Sequence, residues 1–360
     1  MGWRELPATP LKKREEQYFM STVEQTVVAK RQRNVDAKKL ARWAPVGVLV
    51  AEIIFFGIMR FDKFFTSANW HVILNNTALA SIVAGGLTIV LIVGDFDLSI
   101  AGTIGLGGVA AVEFLDPDSV VDKTLQPGNW TILFAVLVAL AVGAFIGLIN
   151  GLIVTGFGIN AFVATLGTGS VLVGVHRWMA DRDITTNNRF KKLANSQWPD
   201  WHFLHPKLVL WFMVGILLIL GLVISRTVAG RRLDAIGGNE VAARLSGIRV
   251  SRYRVLAFII CGMCAAGAGA LLAARTGVAS TTAGDPFLLG AFTACFLGAV
   301  TFRNGEFNIL GTFFGVLFLK VTFSGIALMG WPNYWPPIVT GGFLVISVSA
   351  SGLIEKIFKD

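Results

Sequence analysis

The chain has 360 residues, of which 54% are hydrophobic and only 15% charged, with 40 glycines. That balance belongs to a polytopic helical membrane protein and excludes a soluble chain of two ordinary domains. The formal net charge of +9 does not point to nucleic acid, because the lysines and arginines concentrate in residues 1–43 and around the loop 226–254, as membrane topology alone requires.

Residues 1–43 are polar and basic, without the apolar core and small-residue cleavage site of a secretory signal. They are expected to form a cytoplasmic arm, solvated or lying on the lipid surface, with docking on a partner as the alternative. Met20-Ser21-Thr22 reads as a natural start, which leaves translation from Met1 or Met20 open. Residues 44–360 form the transmembrane domain. Roughly 20 apolar residues cross a hydrocarbon core, and about ten segments qualify: 44–60, 72–93, 98–115, 131–154, 161–180, 207–225, 255–274, 287–301, 309–329 and 336–354. The expected fold is therefore all-α, and an even count puts both termini on one side. The Lys and Arg asymmetry makes that side cytoplasmic. Trp70, Trp130, Trp198, Trp201, Trp331 and Trp335 fall at or beyond outer ends, as an interfacial aromatic belt would.

Between the second and third spans lies Gly94-Asp95-Phe96-Asp97-Leu98-Ser99-Ile100-Ala101-Gly102, with two carboxylates beside hydrocarbon. Such charges are costly and invite a functional reading as a proton or cation site. The structural reading is preferred: Asp97 caps the following helix and its charge meets the positive end of that helix. The candidates for translocation pathway or helix cap are Asn76, Thr77, Asp97, Ser99 and Thr165. Gly143, Gly147 and Gly151, and again Gly311 and Gly315, recur at the spacing that lets helices pack closely in lipid. Glu52, Glu113, Arg177 and Lys320 are expected to snorkel from span ends. His71, His176, His202 and His205 are expected at the outer side, solvated or interfacial, without metal-site spacing. Cys261, Cys264 and Cys295 lie in apolar segments and are expected to act as small hydrophobes.

The polar stretch Gly230 to Ile248 separates the sixth and seventh spans, with Arg231, Arg232, Arg244, Arg249, Arg252 and Arg254 clustered in and after it. Gly237-Gly238 is expected to break the chain, Asn239 to cap, and Glu240 to Leu245 to form a short helix with an acid in its first turn. No Gly-x-x-x-x-Gly-Lys-Ser/Thr phosphate loop occurs in the chain, so it is not itself an ATPase, and any ATP-driven action needs a partner.

The run Gly230-Arg231, then Gly237-Gly238-Asn239-Glu240-Val241-Ala242-Ala243-Arg244-Leu245-Ser246-Gly247-Ile248, resembles the cytoplasmic coupling loop of ribose-type permease subunits of bacterial ABC importers, in the branched-chain amino acid/ribose permease superfamily. Asp97-Leu98-Ser99 resembles part of that family's Gly-Gly-Ile-Asp-Leu-Ser-Val-Gly signature, with Asp95 and Ala101 where the family has glycine. Phe162-Val163-Ala164-Thr165-Leu166-Gly167 and Leu310-Gly311-Thr312 extend the resemblance over most of residues 60–354. Two departures stand out. Pro286-Phe287-Leu288-Leu289-Gly290 replaces an acidic, Tyr-containing segment, and Val173-Gly174 replaces an Arg-Gly.

The resemblance implies a permease subunit in a bacterial inner membrane, moving a sugar or sugar-like solute inward. Its implied partners are an ABC ATP-binding subunit, which binds ATP and Mg, an extracytoplasmic solute-binding protein, and a second permease subunit, identical or related. No cofactor is expected in this chain. Residues implied to couple to the ATPase are Arg231, Gly237, Gly238, Asn239, Glu240, Ala243, Arg244, Leu245, Ser246 and Gly247. The alternative is a secondary transporter using Asp95 or Asp97 as a proton or sodium site, which leaves the coupling loop unexplained.

Overall fold

A computed structural model describes residues 46–114, 129–179, 184–185, 191–192, 195, 207–280, 282–302 and 305–359. The arm 1–43 lies outside the described residues, as do Trp198, Trp201, His202 and His205. The described chain is almost entirely helical, and ten of its helices fall on the ten apolar segments. These are α1 Val46–Met59, α3 Ser67–Ile92, α4 Ile100–Phe114, α5 Asn129–Gly156, α6 Ala161–Met179, α7 Leu208–Arg226, α10 Val250–Thr276, α11 Asp285–Phe302, α12 Ile309–Leu328 and α13 Trp335–Lys359. Three shorter helices connect them: α2 Phe61–Phe64, α8 Val228–Gly238 and α9 Glu240–Leu245. A minimal antiparallel pair, β1 Ile184–Thr185 and β2 Val278–Ala279, sets Ile184 opposite Ala279.

Five helices, α3, α5, α7, α10 and α12, are long and apolar enough to cross a membrane, and α1, α4, α11 and α13 carry shorter apolar stretches. The loop read as 226–254 is mostly helix: α10 begins at Val250 and carries Arg252 and Arg254 on its first turns. Apolar length alone placed that start at 255, because a helix that leaves hydrocarbon for water changes composition without changing backbone.

From Leu49 onward the residues pack as one unit. At its centre is α3, whose apolar stretch is 83% buried, against 22% for the more apolar α7. Leu218, Ile219 and Leu222 of α7 are exposed, a surface that lipid or a partner helix must cover. The tightest seams are built on glycine. In α5, Gly143, Gly147 and Gly151 face α10 so closely that a Cβ would overlap the Gly262 carbonyl, the Phe258 carbonyl and the Val255 Cα. The other side of α10 meets α4 in the same way, with Ala266 on Gly107 and Gly269 against the Ile104 carbonyl. Gly311 and Gly315 of α12 meet Gly298 and Ala294 of α11. Without a side chain between them the backbones come into direct van der Waals contact, which is what holds helices together where the solvent is itself apolar.

Several polar residues sit elsewhere than expected. Lys320 lies mid-way along α12 rather than at a span end, with its ammonium 5.3 Å from the Phe323 ring centre and 5.9 Å from that of Phe287. Ring faces, not the interface, receive this charge. Glu52 accepts a hydrogen bond from the Thr322 hydroxyl, tying α1 to α12. His176 is buried beside Gly105 rather than solvated, and among the described residues neither ring nitrogen has a hydrogen-bond partner. All three cysteines are free and buried.

Asn239 precedes α9 near the Asp95 end of α10, whereas the Asn195 amide donates to the Arg275 carbonyl at its far end, 3.2 Å away. A cysteine placed at Asn239 is therefore expected to react with an impermeant thiol reagent only from the cytoplasm, and one at Asn195 only from outside. The reverse pattern at either position overturns the orientation.

Candidate functional site

The connection between α7 and α10 is built from terminal motifs. The Thr227 hydroxyl caps α8 by accepting the Gly230 N–H at 3.3 Å, and Gly230 and Gly237 press against the carbonyls of Ile224 and Ile92. The helix runs through Gly237 and Gly238 and stops at Asn239, whose extended backbone (φ −160°) is where the chain actually breaks. Gly237 is therefore there for close approach to α3, not for flexibility. The Asn239 side chain accepts the Ala242 N–H at 2.9 Å, starting α9 as expected. At the other end Gly247 has φ 82°, the Ile248 N–H reaches the Ala243 carbonyl and the Gly247 N–H that of Arg244. That is a Schellman termination, and it needs glycine at this position. Ser246 adds a bond from its hydroxyl to the Ala242 carbonyl at 2.9 Å.

Glu240 and Arg244, one turn apart, pair at 2.6 Å on the exposed side of α9. So exposed a pair stabilises the helix by only about 0.5 kcal/mol. Val241 and Leu245 are 68% and 84% exposed, whereas Ala243 is only 4% exposed. Ala243 thus packs on its own chain rather than joining Leu245 on an outward face, because two residues along a helix rotate the side chain to the opposite side. Arg231 is exposed on α8, and Arg232 donates to the Tyr253 hydroxyl at 2.6 Å.

Beneath α9 the charges converge. Arg254 of α10 holds Asp95 in a two-pronged contact, Nε to Oδ2 at 2.7 Å and an Nη to Oδ1 at 2.5 Å. Its other Nη lies 3.8 Å from Glu240. Asp95 itself is 5% exposed.

Two residues on, Asp97 is buried and its Oδ1 accepts from Ser99 twice, from the N–H at 2.9 Å and the hydroxyl at 2.6 Å. Burial pushes the Asp97 carboxyl above its ordinary range, and the two Ser99 bonds pull against that rise. The cap position of α4 is Ser99, whose carbonyl accepts the Thr103 N–H. Asp97 therefore closes the turn before the helix rather than capping it, since its bond reaches only two residues ahead. The Ser99 hydroxyl also accepts from the Asn150 amide at 2.8 Å, Asn150 accepts from the Thr168 hydroxyl at 2.7 Å, and the Thr165 hydroxyl accepts the Leu98 N–H at 3.0 Å. One polar cluster thus joins Asp97, Ser99 and Thr165 with Asn150 and Thr168.

Asn76 and Thr77 are not part of it. They sit in the first half of α3, about 25 Å away along the helix. Asn76 accepts from the Arg275 guanidinium at 2.9 Å, and the buried hydroxyls of Thr77 and Ser81, one turn apart, have no hydrogen-bond partner among the described residues.

Residues 69–348 match the family described as branched-chain amino acid transport system / permease component. The ribose import permease protein RbsC of Escherichia coli is 32% identical over 306 residues, covering 83% of this chain and 91% of that protein. The galactose/methyl galactoside import permease protein MglC of Haemophilus influenzae is 29% identical over 84% of this chain and 92% of its own length. The fructose import permease protein FrcC of Rhizobium meliloti is 29% identical, with 87% and 86% covered. No solved structure matches. With its apolar helices, its exposed connecting helix α9 and a family match over most of its length, the chain belongs to the branched-chain amino acid transport system permease family and is a multi-pass inner-membrane permease component, not a catalytic subunit.

Proposed function

We propose that this chain is the transmembrane subunit of a binding-protein-dependent importer for a sugar or sugar-like solute. A separate subunit binds ATP with Mg and acts on α9, an extracytoplasmic binding protein delivers the solute, and a second permease subunit, identical or related, completes the pathway. The names of the relatives, which cite ribose, galactose and fructose, support the solute class. The observation that carries the reading is α9 itself: a helix of six residues, stopped by a cap at each end, that presents Val241 and Leu245 outward beside a polar pair. Among the described residues nothing covers these two side chains, and a cleft on an ATPase would.

The ion-coupled alternative has less support, because the Asp95 carboxylate is engaged by Arg254 and that of Asp97 by Ser99. The direct test is Val241→Asp and Leu245→Asp, reconstituted with the ATPase and binding protein. Either variant is expected to insert normally and to lower both uptake and stimulated hydrolysis about tenfold, roughly 1.4 kcal/mol of lost docking or more. Full, coupled uptake by both sinks the importer reading. Ala243→Trp is a poorer probe, since it disturbs packing inside the chain.

A further inference from the structure

We propose that Glu240, Arg254 and Asp95 form a transmission link that carries displacement of α9 into the turn between α3 and α4, and from there to the buried cluster of Ser99, Asn150 and Thr168. The inference rests on the reading of α9 as the part an ATPase moves. Its two halves differ in stiffness. The fork between Arg254 and Asp95, with two short charge-assisted bonds, fixes direction as well as distance. The 3.8 Å approach to Glu240 is a single contact without strict geometry. α9 can therefore tilt against Arg254, while Arg254 and Asp95 move together.

Asp95 is well placed to pass that motion on. It stands in the non-helical stretch 95–98, just after Gly94 at φ 85°, so the backbone there is not locked into a helix. The next residue, Phe96, stacks on Phe292 of α11 at 6.1 Å, and its carbonyl accepts from Thr165 of α6 at 3.3 Å. Three residues further, Ser99 is bonded to Asn150 of α5. A shift at Asp95 thus reaches α5, α6 and α11 within five residues of chain. Membrane orientation needs only the positive charge of Arg254; it does not need a nearly buried acid opposite it. Glycine stands at this position in the family signature quoted above, so the link is a property of this chain.

A staple between α10 and the end of α3 is the competing role, and Glu240→Gln separates the two because it leaves the fork intact. The full complex with its ATPase and binding protein would carry Phe96→Cys as a reporter. The native thiols are buried and give little background. Labelling is compared without nucleotide and with ATP trapped, alongside Val241→Cys as a reporter of docking. The ATPase is expected to protect Val241→Cys, and nucleotide to change the labelling rate at Phe96→Cys several-fold. Glu240→Gln, Asp95→Asn and Arg254→Gln should each shrink that change below about twofold. If Asp95→Asn only lowers thermal stability while the nucleotide response persists, or if Glu240→Gln leaves the response whole, the link is refuted and the staple stands. If Phe96→Cys never responds although Val241→Cys is protected, the link fails alone. If Val241→Cys is not protected at all, the importer reading fails with it.

Discussion

Gly147→Leu is expected to abolish the monodisperse, detergent-stable form of this protein. The residue faces the Phe258 carbonyl and Ile259 of α10 with no room for even a Cβ, so a leucine must push α5 and α10 apart. Parting them also unseats Gly143 from Gly262 and Gly151 from Val255, since the three contacts lie along one seam. Overpacking against backbone, which cannot rotate away, costs about 3 kcal/mol or more. Size-exclusion profiles and melting curves in mild detergent check this. Gly221→Ala is the control: a Cβ at that position meets nothing within 4 Å, and alanine is the better helix former, so stability should hold or rise. A Gly147→Leu protein that elutes and melts like the native one refutes the glycine seam as the basis of this packing.

The second large effect is expected at Asp97. Asp97→Ala removes the acceptor of both the N–H and the hydroxyl of Ser99, leaving two buried donors unpaired at the start of α4. Each unsatisfied donor costs about 1–3 kcal/mol, so uptake should fall at least tenfold with reduced thermal stability. Asp97→Asn retains an oxygen that can accept from Ser99 and should keep much of the transport. A coupling-ion site predicts the opposite ranking of causes: Asp97→Asn would eliminate ion-dependent uptake while assembly stayed normal. Measuring uptake, hydrolysis and melting temperature on both variants decides between them.

The spans were legible because hydrocarbon thickness imposes a length on apolar segments, and that rule needs no tertiary information. The ends of α9 were legible for a similar reason: Asn239 as a cap and Gly247 as a stop act through neighbouring backbone. What the sequence hid depends on partners far along the chain. Arg254 read as a topology charge, yet it finds Asp95, 159 residues away. Asn150 carried a usable signal, an amide between Ile149 and Gly151 deep in a strongly apolar helix, but its bonds to Ser99 and Thr168 join segments far apart in the chain. The inward turn of Ala243 and the middle position of Lys320 were hidden differently. A composition window locates a residue in a segment and says nothing about which way its side chain looks.

Two arginines of α10, one near each of its ends, impose a mechanical restriction on the centre of the molecule. Arg254 and Arg275 stand about 30 Å apart on one unbroken helix. The first grips Asp95, just past one end of α3, and the second grips Asn76, in the first half of that helix. Two antiparallel rods bolted at two well-separated points cannot slide lengthwise past one another without breaking both fastenings at once. α3 and α10 therefore travel as a single strut, and relative displacement within the subunit has to be taken up where that strut meets its neighbours.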